Sequence, residues 1–473
     1  MGSYGTQIQK NQTSKIMILI HNGTIVTADK ESIGSILVDK ERIAAVMYKN
    51  EEGMTELPGA AGCGVIPFGF LPDKFRQDGA EVIDAEGKYL MAGGIDAHVH
   101  FRDPGLTHKA DMTSESRAAA AGGVTTVMDM PNTSPATTSI EALHKKAEIA
   151  AEKSVVNVKL HFGATNSNLP AIKTLIADEP NSFAGIKVFL GSSTGNMLVD
   201  SEDTLNQLFS ITEKPVLVHC EDEMTIRENL QLATEKYGED IPFTEHSKIR
   251  SRKACIKSSI YALELAMRHK TKLTLCHIST KEEVNMVRAA KQINPQIKAE
   301  TSANYLWFSE ADYSRLGGKL KSNPAIKTSE DRQALRDALR DGVIDSIGSD
   351  HAPHLEKEKE GKYTKVPSGM PSIQFTLPVL LTVADEEDIP LTRIAAVFSE
   401  NAADTYGLNR GKLKEGMYAD IILFDPHKEF KVSKDQILSK CGWSPYEGET
   451  LKGVVDMVMV NGKTIIKNNK FTD

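Results

Sequence analysis

Eight short apolar runs in the middle of this 473-residue chain constrain its fold more than any other feature. Each run is continuous rather than alternating, and longer amphipathic stretches with helical spacing separate the runs. Continuous apolar runs are typical of strands buried on both faces, and their alternation with helices indicates a parallel sheet. Eight such strands predict an α/β fold built on a closed, TIM-like (β/α)8 barrel. The runs span residues 94–101, 124–130, 158–162, 186–190, 216–220, 273–277, 297–301 and 344–349.

The two ends of the chain carry a different pattern, with short β segments separated by turn sequences. Two of these turns are His21-Asn22-Gly23 and the favoured hairpin dipeptide Asn461-Gly462. We predict that the two ends pair into one small β-sandwich domain beside the barrel. The predicted parts are a disordered segment at residues 1–15, a composite β-sandwich domain of residues 16–93 and 411–473, and a catalytic barrel of residues 94–410.

Charge and cysteine content exclude several classes of protein. Acidic residues (64) outnumber basic ones (56), and the net charge of −8 argues against electrostatic binding of nucleic acid. No apolar run approaches the 18 residues that a membrane span requires. The five cysteines are scattered and form no CxxC pair, so we expect neither a disulfide framework nor a zinc ribbon. A reducing, cytoplasmic location is the resulting expectation, and a small anionic substrate remains compatible with this composition.

Side chains that can bind metal lie at the ends of the predicted strands. His98 and His100 are two residues apart near the end of the first strand, so both side chains point to one face. Active sites of such barrels lie at the carboxyl ends of the strands, and imidazoles and carboxylates that meet there suit a divalent cation. We therefore predict a metal site at this end of the barrel. Its predicted ligands, on five strands, are His98, His100, Lys187, His219, His277 and Asp350.

Lys187 lies inside a predicted buried strand, where a charged ammonium group is costly. Two reactions would remove the charge: a Schiff base with a carbonyl substrate, or a carbamate formed with carbon dioxide. The neighbouring histidines favour the carbamate, because its two oxygens can bridge two metal ions. Cys220 and Cys276 follow or precede predicted histidine ligands, and strand alternation predicts that both thiols point away from the site.

Two stretches, Gly94-Ile-Asp-Ala-His-Val-His-Phe-Arg-Asp-Pro-Gly105 and Ser349-Asp-His-Ala-Pro-His354, resemble signature sequences of the dihydroorotases in the amidohydrolase superfamily. The resemblance begins near residue 16, reaches the C-terminus and includes the strand that carries Lys187. Several further motifs occur in the expected order and spacing. They are Met130-Pro-Asn-Thr133, Val218-His-Cys-Glu221, Cys276-His-Ile-Ser-Thr280, Asn323-Pro-Ala-Ile326 and Cys441-Gly-Trp-Ser-Pro445.

The resemblance implies a zinc enzyme that interconverts N-carbamoyl-L-aspartate and L-dihydroorotate in the synthesis of pyrimidines, on the route to UMP. It implies that His98 and His100 bind one zinc ion, and that His219 and His277 bind a second. Carboxylated Lys187 would bridge the two ions. Asp350 would complete the first site and act as general acid and base toward a hydroxide nucleophile held between the ions.

The resemblance also implies a set of substrate contacts. Arg102, Asn132 and His354 match residues that hold the substrate carboxylate, and a guanidinium can bind a carboxylate through two hydrogen bonds. Asn323 and the backbone around Gly369 match positions that contact the ring amide. One departure is Asn304-Tyr305, where many relatives carry a His-His pair that is not a metal ligand. We expect it to alter the local shape of the pocket wall.

Two other functions compete with this interpretation. A hydantoinase or allantoinase would share the metal site, but its substrate has no carboxylate for Arg102 to bind. A non-catalytic homologue, acting as a partner of aspartate transcarbamoylase, would typically have lost metal ligands, whereas all six positions are present here. We expect a small-molecule substrate, no nucleic-acid or membrane partner, a homodimer as is common in the family, and compatibility with an aspartate transcarbamoylase contact.

Overall fold

The computed structural model describes residues 17–58, 64–191 and 197–472. The predicted disordered segment at residues 1–15 and Cys63 lie outside these ranges. The described part of the chain contains no helix that is long and apolar enough to cross a membrane.

The described residues of the N-terminal part form seven strands and one α-helix before the barrel begins. The predicted turn at His21-Asn22-Gly23 is wrong, because these residues form a bulge inside one long strand, with Asn22 in the left-handed region at φ 62°. The elements are β1 (Met17–Val26), β2 (Glu31–Asp39), β3 (Arg42–Tyr48), β4 (Met54–Glu56), β5 (Val65–Pro67), α1 (Leu71–Gln77), β6 (Glu81–Asp84) and β7 (Tyr89–Ala92).

The middle of the chain forms the barrel, and each of the eight predicted apolar runs overlaps at least one strand. The third run overlaps two short strands, β10 and β11, on either side of His161. The barrel closes where the backbone N–H of His100 donates to the carbonyl of His351 at 2.8 Å. Its strands are β8 (Gly94–Val99), β9 (Val124–Asp129), β10 (Asn157–Leu160), β11 (Phe162–Gly163), β12 (Ile186–Phe189), β13 (Val216–His219), β14 (Leu273–Leu275), β15 (Lys298–Thr301) and β16 (Ser346–Ile347).

Helices follow the barrel strands and cover their outer face. Their first turns are stabilised by side-chain caps, such as Asp111 before α2 and Thr280 before α9. The helices are α2 (Met112–Ala121), α3 (Ile140–Lys153), α4 (Leu169–Asp178), α5 (Glu202–Phe209), α6 (Glu223–Tyr237), α7 (His246–Ile249), α8 (Arg252–His269), α9 (Lys281–Ile293), α10 (Ala303–Trp307), α11 (Tyr313–Leu316), α12 (Ser329–Arg340), α13 (Thr376–Glu386), α14 (Leu391–Ala395) and α15 (Asn401–Tyr406).

The C-terminal part forms four strands that complete the sheet begun at the N-terminus. Strand β7 pairs antiparallel with β17, so the two chain ends share one nine-stranded sheet in the order β20-β19-β18-β17-β7-β1-β2-β3, with β6 also paired to β1. The region predicted as a β-sandwich therefore forms this one hydrogen-bonded sheet. Strands β4 and β5 form a separate two-stranded ribbon beside it. The C-terminal strands are β17 (Ile421–Lys431), β18 (Thr450–Val460), β19 (Lys463–Lys467) and β20 (Lys470–Phe471).

The sheet packs against the barrel through its apolar side chains. Leu451 and Val455 of β18 belong to the same buried cluster as Leu381 of α13. The predicted fold class is therefore confirmed: a parallel-stranded α/β barrel with a sheet assembled from both chain ends. The exact domain bounds at residues 93 and 410 stay predictions.

One buried ion pair stabilises the carboxyl ends of two barrel strands. Lys146 of α3 lies 2.5 Å from Asp129 at the end of β9, and both side chains are fully buried. Lys146 also donates to the carbonyl of Met130, and Asp129 accepts from the backbone N–H of Phe101. The pair thus ties α3 to two strand ends.

Lys146→Met should destabilise the protein strongly, because it leaves the Asp129 carboxylate buried without its counter-ion. We expect a loss of roughly 3–5 kcal/mol in the free energy of unfolding, measured by urea denaturation. The matched control is Lys145→Met, since Lys145 is the exposed neighbour on the same helix. Equal stability of the two variants would contradict the structural role of the pair.

Candidate active site

All the residues predicted to bind metal or substrate line one cavity of about 270 Å³ at the carboxyl end of the barrel strands. Phe189, Ala352, Pro367 and Ser368 complete its wall. The predicted residues in the wall are His98, His100, Arg102, Asn132, Lys187, His219, His277, Asn323, Asp350, His354 and Gly369.

The first group of candidate ligands contains His98, His100 and Asp350. The Nε2 atoms of the two histidines lie 3.6 Å and 3.1 Å from Oδ1 of Asp350. Their Nδ1 atoms are engaged elsewhere, that of His98 with Glu300 at 2.7 Å and that of His100 with Asn132 at 2.7 Å. Both Nε2 atoms and the carboxylate are therefore turned toward a common point, where they could hold one cation.

The second group contains His219 and His277. Nδ1 of His219 lies 3.1 Å from Nε2 of His277, and the ring centroids are 4.8 Å apart. Nε2 of His219 bonds to Glu221 at 3.0 Å, and Arg250 in turn binds Glu221 at 2.5 Å. The facing nitrogens are the ones that remain for a second cation.

The protonation of the site suits metal binding. Burial, followed by the positive charge of Lys187, lowers the pKa of His98 well below its ordinary value. Burial lowers the pKa of His219 and His277 as well. Burial alone would raise the pKa of Asp350, but the hydrogen bond from His100 and the electrostatic effect of the neighbouring imidazoles bring it below the ordinary range. Neutral imidazoles and an ionised carboxylate are the forms that bind divalent cations.

Lys187 is only 1% exposed, and it sits in β12 as the sequence predicts. Its Nζ lies 3.3 Å from the sulfur of Cys276. Among the described residues, no carboxylate lies within 4 Å of this amine. A buried ammonium without a counter-ion is unfavourable, so the position suits a chemically modified lysine.

Three residues of the cavity wall adopt left-handed backbone conformations two or three residues after their strands end. The φ angles are 64° at Arg102, 38° at His277 and 49° at Asp350. Such angles are uncommon outside glycine, and they redirect the side chains that follow a strand. Because β14 ends at Leu275, His277 reaches the cavity by this turn rather than by strand alternation.

The prediction that both flanking thiols point away from the site is therefore wrong for Cys276, whose sulfur contacts Lys187. Strand alternation predicts the opposite orientation only if the strand continues to residue 277. Burial raises the pKa of this thiol to about 12, so it stays protonated. Cys220 lies in the main apolar core, as expected.

Three charged residues behind the ligands were missed in the sequence. Glu300 is fully buried in β15, and burial raises its pKa to about 8. Glu221 and Arg250 form the pair that supports His219. The sequence did contain a signal for Glu300. It is a charged residue inside a predicted buried strand, which is as unusual as Lys187 in its own strand.

The opposite side of the cavity is cationic. The side chain of Arg102 is buried, its Nε donates to the carbonyl of Pro353, and its Nη2 lies 3.1 Å from Nε2 of His354. Within the described ranges, no carboxylate lies within 4 Å of the guanidinium. Oδ1 of Asn323 is buried and has no hydrogen-bond partner in the same part of the chain. These groups leave a donor and an acceptor open toward the cavity.

The backbone conformation and the close packing at position 369 require a glycine. Its φ is 128°, and a Cβ atom would lie 2.6 Å from the carbonyl oxygen of Ala352. Its N–H donates to the carbonyl of Lys321, and its own carbonyl accepts from Lys359 at 2.7 Å. Lys359 is only 2% exposed, so a buried lysine anchors the charged loop at residues 356–365.

Comparison with known proteins identifies the family. The model of the amidohydrolase family matches residues 89–465. A dihydroorotase of Methanosarcina acetivorans is 37% identical over 387 residues, which cover 79% of this chain and 81% of the relative. A dihydroorotase of Staphylococcus epidermidis is 29% identical over 455 residues, covering 96% of this chain and all of the relative. The chain belongs to the dihydroorotases of the amidohydrolase family.

Family membership confirms that the protein is an enzyme, a cyclic amide hydrolase, and implies that it depends on metal. The L-hydantoinase of Arthrobacter aurescens has a similar structure, with a TM-score of 0.86, 25% sequence identity and coverage of 97% of this chain and 98% of the hydantoinase. The fold is thus shared with enzymes that act on other cyclic amides.

The departure at Asn304-Tyr305 lies behind the cavity wall, because neither side chain lines the cavity. Asn304 donates weakly to the carbonyl of Ser349 at 3.4 Å and accepts from Tyr446 at 2.7 Å. Tyr305 donates to the carbonyl of Pro324 at 2.8 Å. These two side chains therefore contact the backbone next to Asp350 and Asn323. The expectation that they shape the pocket wall is wrong.

Glu221→Gln should weaken metal binding, because Glu221 orients His219 through its Nε2 atom. Loss of such a supporting carboxylate typically costs about 10–100-fold in metal affinity, measurable by competition with a chelator. Glu223→Gln is the matched control, since Glu223 pairs with exposed Arg227 nearby. An unchanged affinity in Glu221→Gln would contradict this role.

Proposed function

We propose that this enzyme interconverts N-carbamoyl-L-aspartate and L-dihydroorotate, with two zinc ions as cofactors, in the synthesis of pyrimidines. The observation that carries the proposal is the buried Arg102 guanidinium, which faces the cavity without a carboxylate partner among the described residues. The dihydroorotase relatives support the same substrate.

Arg102 favours a substrate with a carboxylate. A buried guanidinium that lacks a counter-ion is costly, and a bound carboxylate would offset that cost through charge-assisted hydrogen bonds. Hydantoin and allantoin have no carboxylate, so neither would use Arg102 in this way. The likeness to hydantoinases therefore supports the shared fold and the shared class of reaction, whereas the cationic wall supports dihydroorotate.

The residues present fit two metal ions. His98, His100 and Asp350 would hold the first, His219 and His277 the second, and carboxylated Lys187 would bridge them. When bound, two such ions supply a hydroxide at neutral pH and polarise the amide carbonyl. Zinc identity, the number of ions and the carbamate all belong to this proposal.

Protein side chains would position the substrate against that chemistry. Arg102, Asn132 and His354 would bind the carboxylate. Oδ1 of Asn323 would accept from a ring N–H. The N–H of Gly369 already donates to the carbonyl of Lys321. The carbonyl of Gly369 accepts from Lys359 and has a second lone pair, so it is the backbone group that would contact the ring amide.

Asp350 would move the proton. In ring opening it would accept the proton of the attacking hydroxide and deliver it to the ring nitrogen as the C–N bond breaks. In ring closure the same carboxylate would take a proton from the carbamoyl nitrogen and return it to the leaving oxygen. The homodimer and the contact with aspartate transcarbamoylase stay predictions.

Arg102→Met tests the substrate. With L-dihydroorotate followed by ultraviolet absorbance, KM should rise at least about tenfold, since a hydrogen bond to a charged group is lost, while the metal content stays unchanged. Hydantoin and allantoin are the parallel substrates for the unmodified enzyme. Their turnover in place of dihydroorotate would overturn the proposal, and loss of metal in the variant would contradict the role of Arg102.

Lys187→Ala tests the bridging role of Lys187. Activity should fall to the background rate and the metal content should drop, because the bridging group is lost. Short-chain carboxylic acids should restore part of the activity by occupying the vacated position. Lys173→Ala, at an exposed lysine of α4, is the control. Full activity of Lys187→Ala would rule out the carbamate.

A further inference from the structure

His354 has three polar neighbours for its two ring nitrogens. Nδ1 lies 3.1 Å from Nζ of Lys109. Nε2 lies 3.1 Å from Nη2 of Arg102 and 3.0 Å from the carbonyl oxygen of Ser368. Two of these neighbours can only donate and one can only accept, so the position of the ring proton decides which contacts are hydrogen bonds.

A neutral imidazole has one donor and one acceptor nitrogen. If Nδ1 accepts from Lys109, the proton lies on Nε2 and donates to Ser368, so two of the three contacts are satisfied. If Nδ1 carries the proton, it faces the ammonium of Lys109, and the carbonyl of Ser368 loses its donor. The first arrangement is therefore favoured.

This arrangement leaves Arg102 available to a ligand. The protonated Nε2 of His354 cannot accept from the guanidinium. Within the described part of the chain, the guanidinium then keeps one acceptor, the carbonyl of Pro353 at its Nε. Nη2 of Arg102 is then a donor open toward the cavity wall, beside the single Nε2–H of His354 that donates to the carbonyl of Ser368. An anion placed there would accept from Nη2 and would share the Nε2–H with the carbonyl of Ser368.

Surrounding contacts hold Lys109 and His354 in place. Nζ of Lys109 pairs with Glu358 at 2.8 Å, and Glu358 also accepts from the backbone N–H of Leu355. The carbonyl of His354 accepts from the indole of Trp443 at 2.7 Å. Lys109 is thus fixed against the loop that follows His354.

The charged groups around His354 keep it neutral. Burial, then the charges of Arg102, Lys359 and Lys109, lower its pKa to about 2. Glu358 is paired with Lys109 and so does not offset this effect. The ring therefore stays in a neutral form at working pH, and its tautomer rather than its charge is what can be controlled.

We propose that Lys109 is a positioning residue that fixes His354 in the Nε2–H tautomer, so that His354 does not accept from Arg102 and the guanidinium stays available to donate to the carboxylate of the substrate. This inference rests on the proposed function, since it needs a substrate with a carboxylate. Lys109 itself does not line the cavity and would act only through His354.

The test compares Lys109→Met with Lys109→Arg in the zinc-loaded enzyme. In Lys109→Met, KM for L-dihydroorotate should rise about tenfold, as expected for loss of one charge-assisted hydrogen bond, with kcat and metal content nearly unchanged. Lys109→Arg keeps a cationic donor and should restore KM to within about threefold of the unmodified enzyme. The matched control is Lys319→Met, which removes a lysine that pairs with Glu356 on the same loop.

A second measurement reads the tautomer directly. Nitrogen-15 NMR of histidine-labelled protein, with His354→Gln to assign the signal, should show Nε2–H in the unmodified enzyme and a shift toward Nδ1–H in Lys109→Met. An unchanged KM or an unchanged tautomer in a folded Lys109→Met variant would overturn the inference, as would an equal loss in Lys109→Arg. If the unmodified enzyme fails to turn over L-dihydroorotate, the proposed function falls, whereas the NMR comparison still decides the tautomer.

Discussion

Ionisable side chains buried at the carboxyl end of the barrel depend on one another, because burial disfavours the charged form of each. Burial lowers the pKa of His98, His219 and His277 for this reason. In His98, His100 and His219, the ring nitrogen that faces away from the centre is bonded to Glu300, Asn132 or Glu221. Those bonds decide which nitrogen faces the cavity: Nε2 in His98 and His100, and Nδ1 in His219. The candidate metal centre is thus organised by the oxygen atoms behind it as much as by its own ligands.

The backbone contributes a second constraint. Parallel strands deliver side chains to one end of the barrel, but strict alternation would send alternate residues outward. Arg102, His277 and Asp350 each follow a strand in a left-handed conformation, which turns their side chains into the cavity. Strain of this kind persists only where surrounding contacts enforce it. The carbonyl of Ser349, beside Asp350, accepts from Ser302, Ser372 and Asn304, which supplies such enforcement.

The sequence predicts the barrel and its polar strand ends well, because continuous apolar runs and isolated histidines are local signals. It predicts less well the side-chain directions and strand boundaries that depend on the residue at which a strand ends. Alternation carried past Leu275, where β14 ends, predicts the wrong direction for the side chain of Cys276. The sequence His21-Asn22-Gly23 resembles a turn, so the pattern predicts two strands where the structure has β1 with a bulge. Glu221 and Arg250 are 29 residues apart in the chain, and no local pattern indicates that they pair. Their contact depends on bringing Arg250, which follows α7, next to Glu221, which follows β13, and only the folded chain does so.

The cavity separates two tasks. One side carries the histidines, Lys187 and Asp350, which we propose to hold the metal and to perform the hydrolysis, and the fold that presents them is shared with hydantoinases. The other side carries Arg102 and His354 on segments that follow the first and last barrel strands. Because these segments lie outside the strands, their charge can change without disturbing the centre that performs the chemistry. A buried guanidinium is costly unless an anion binds it, so selection for a carboxylate and the stability of this wall are linked. The substrate would therefore complete an electrostatic arrangement that the protein alone leaves open.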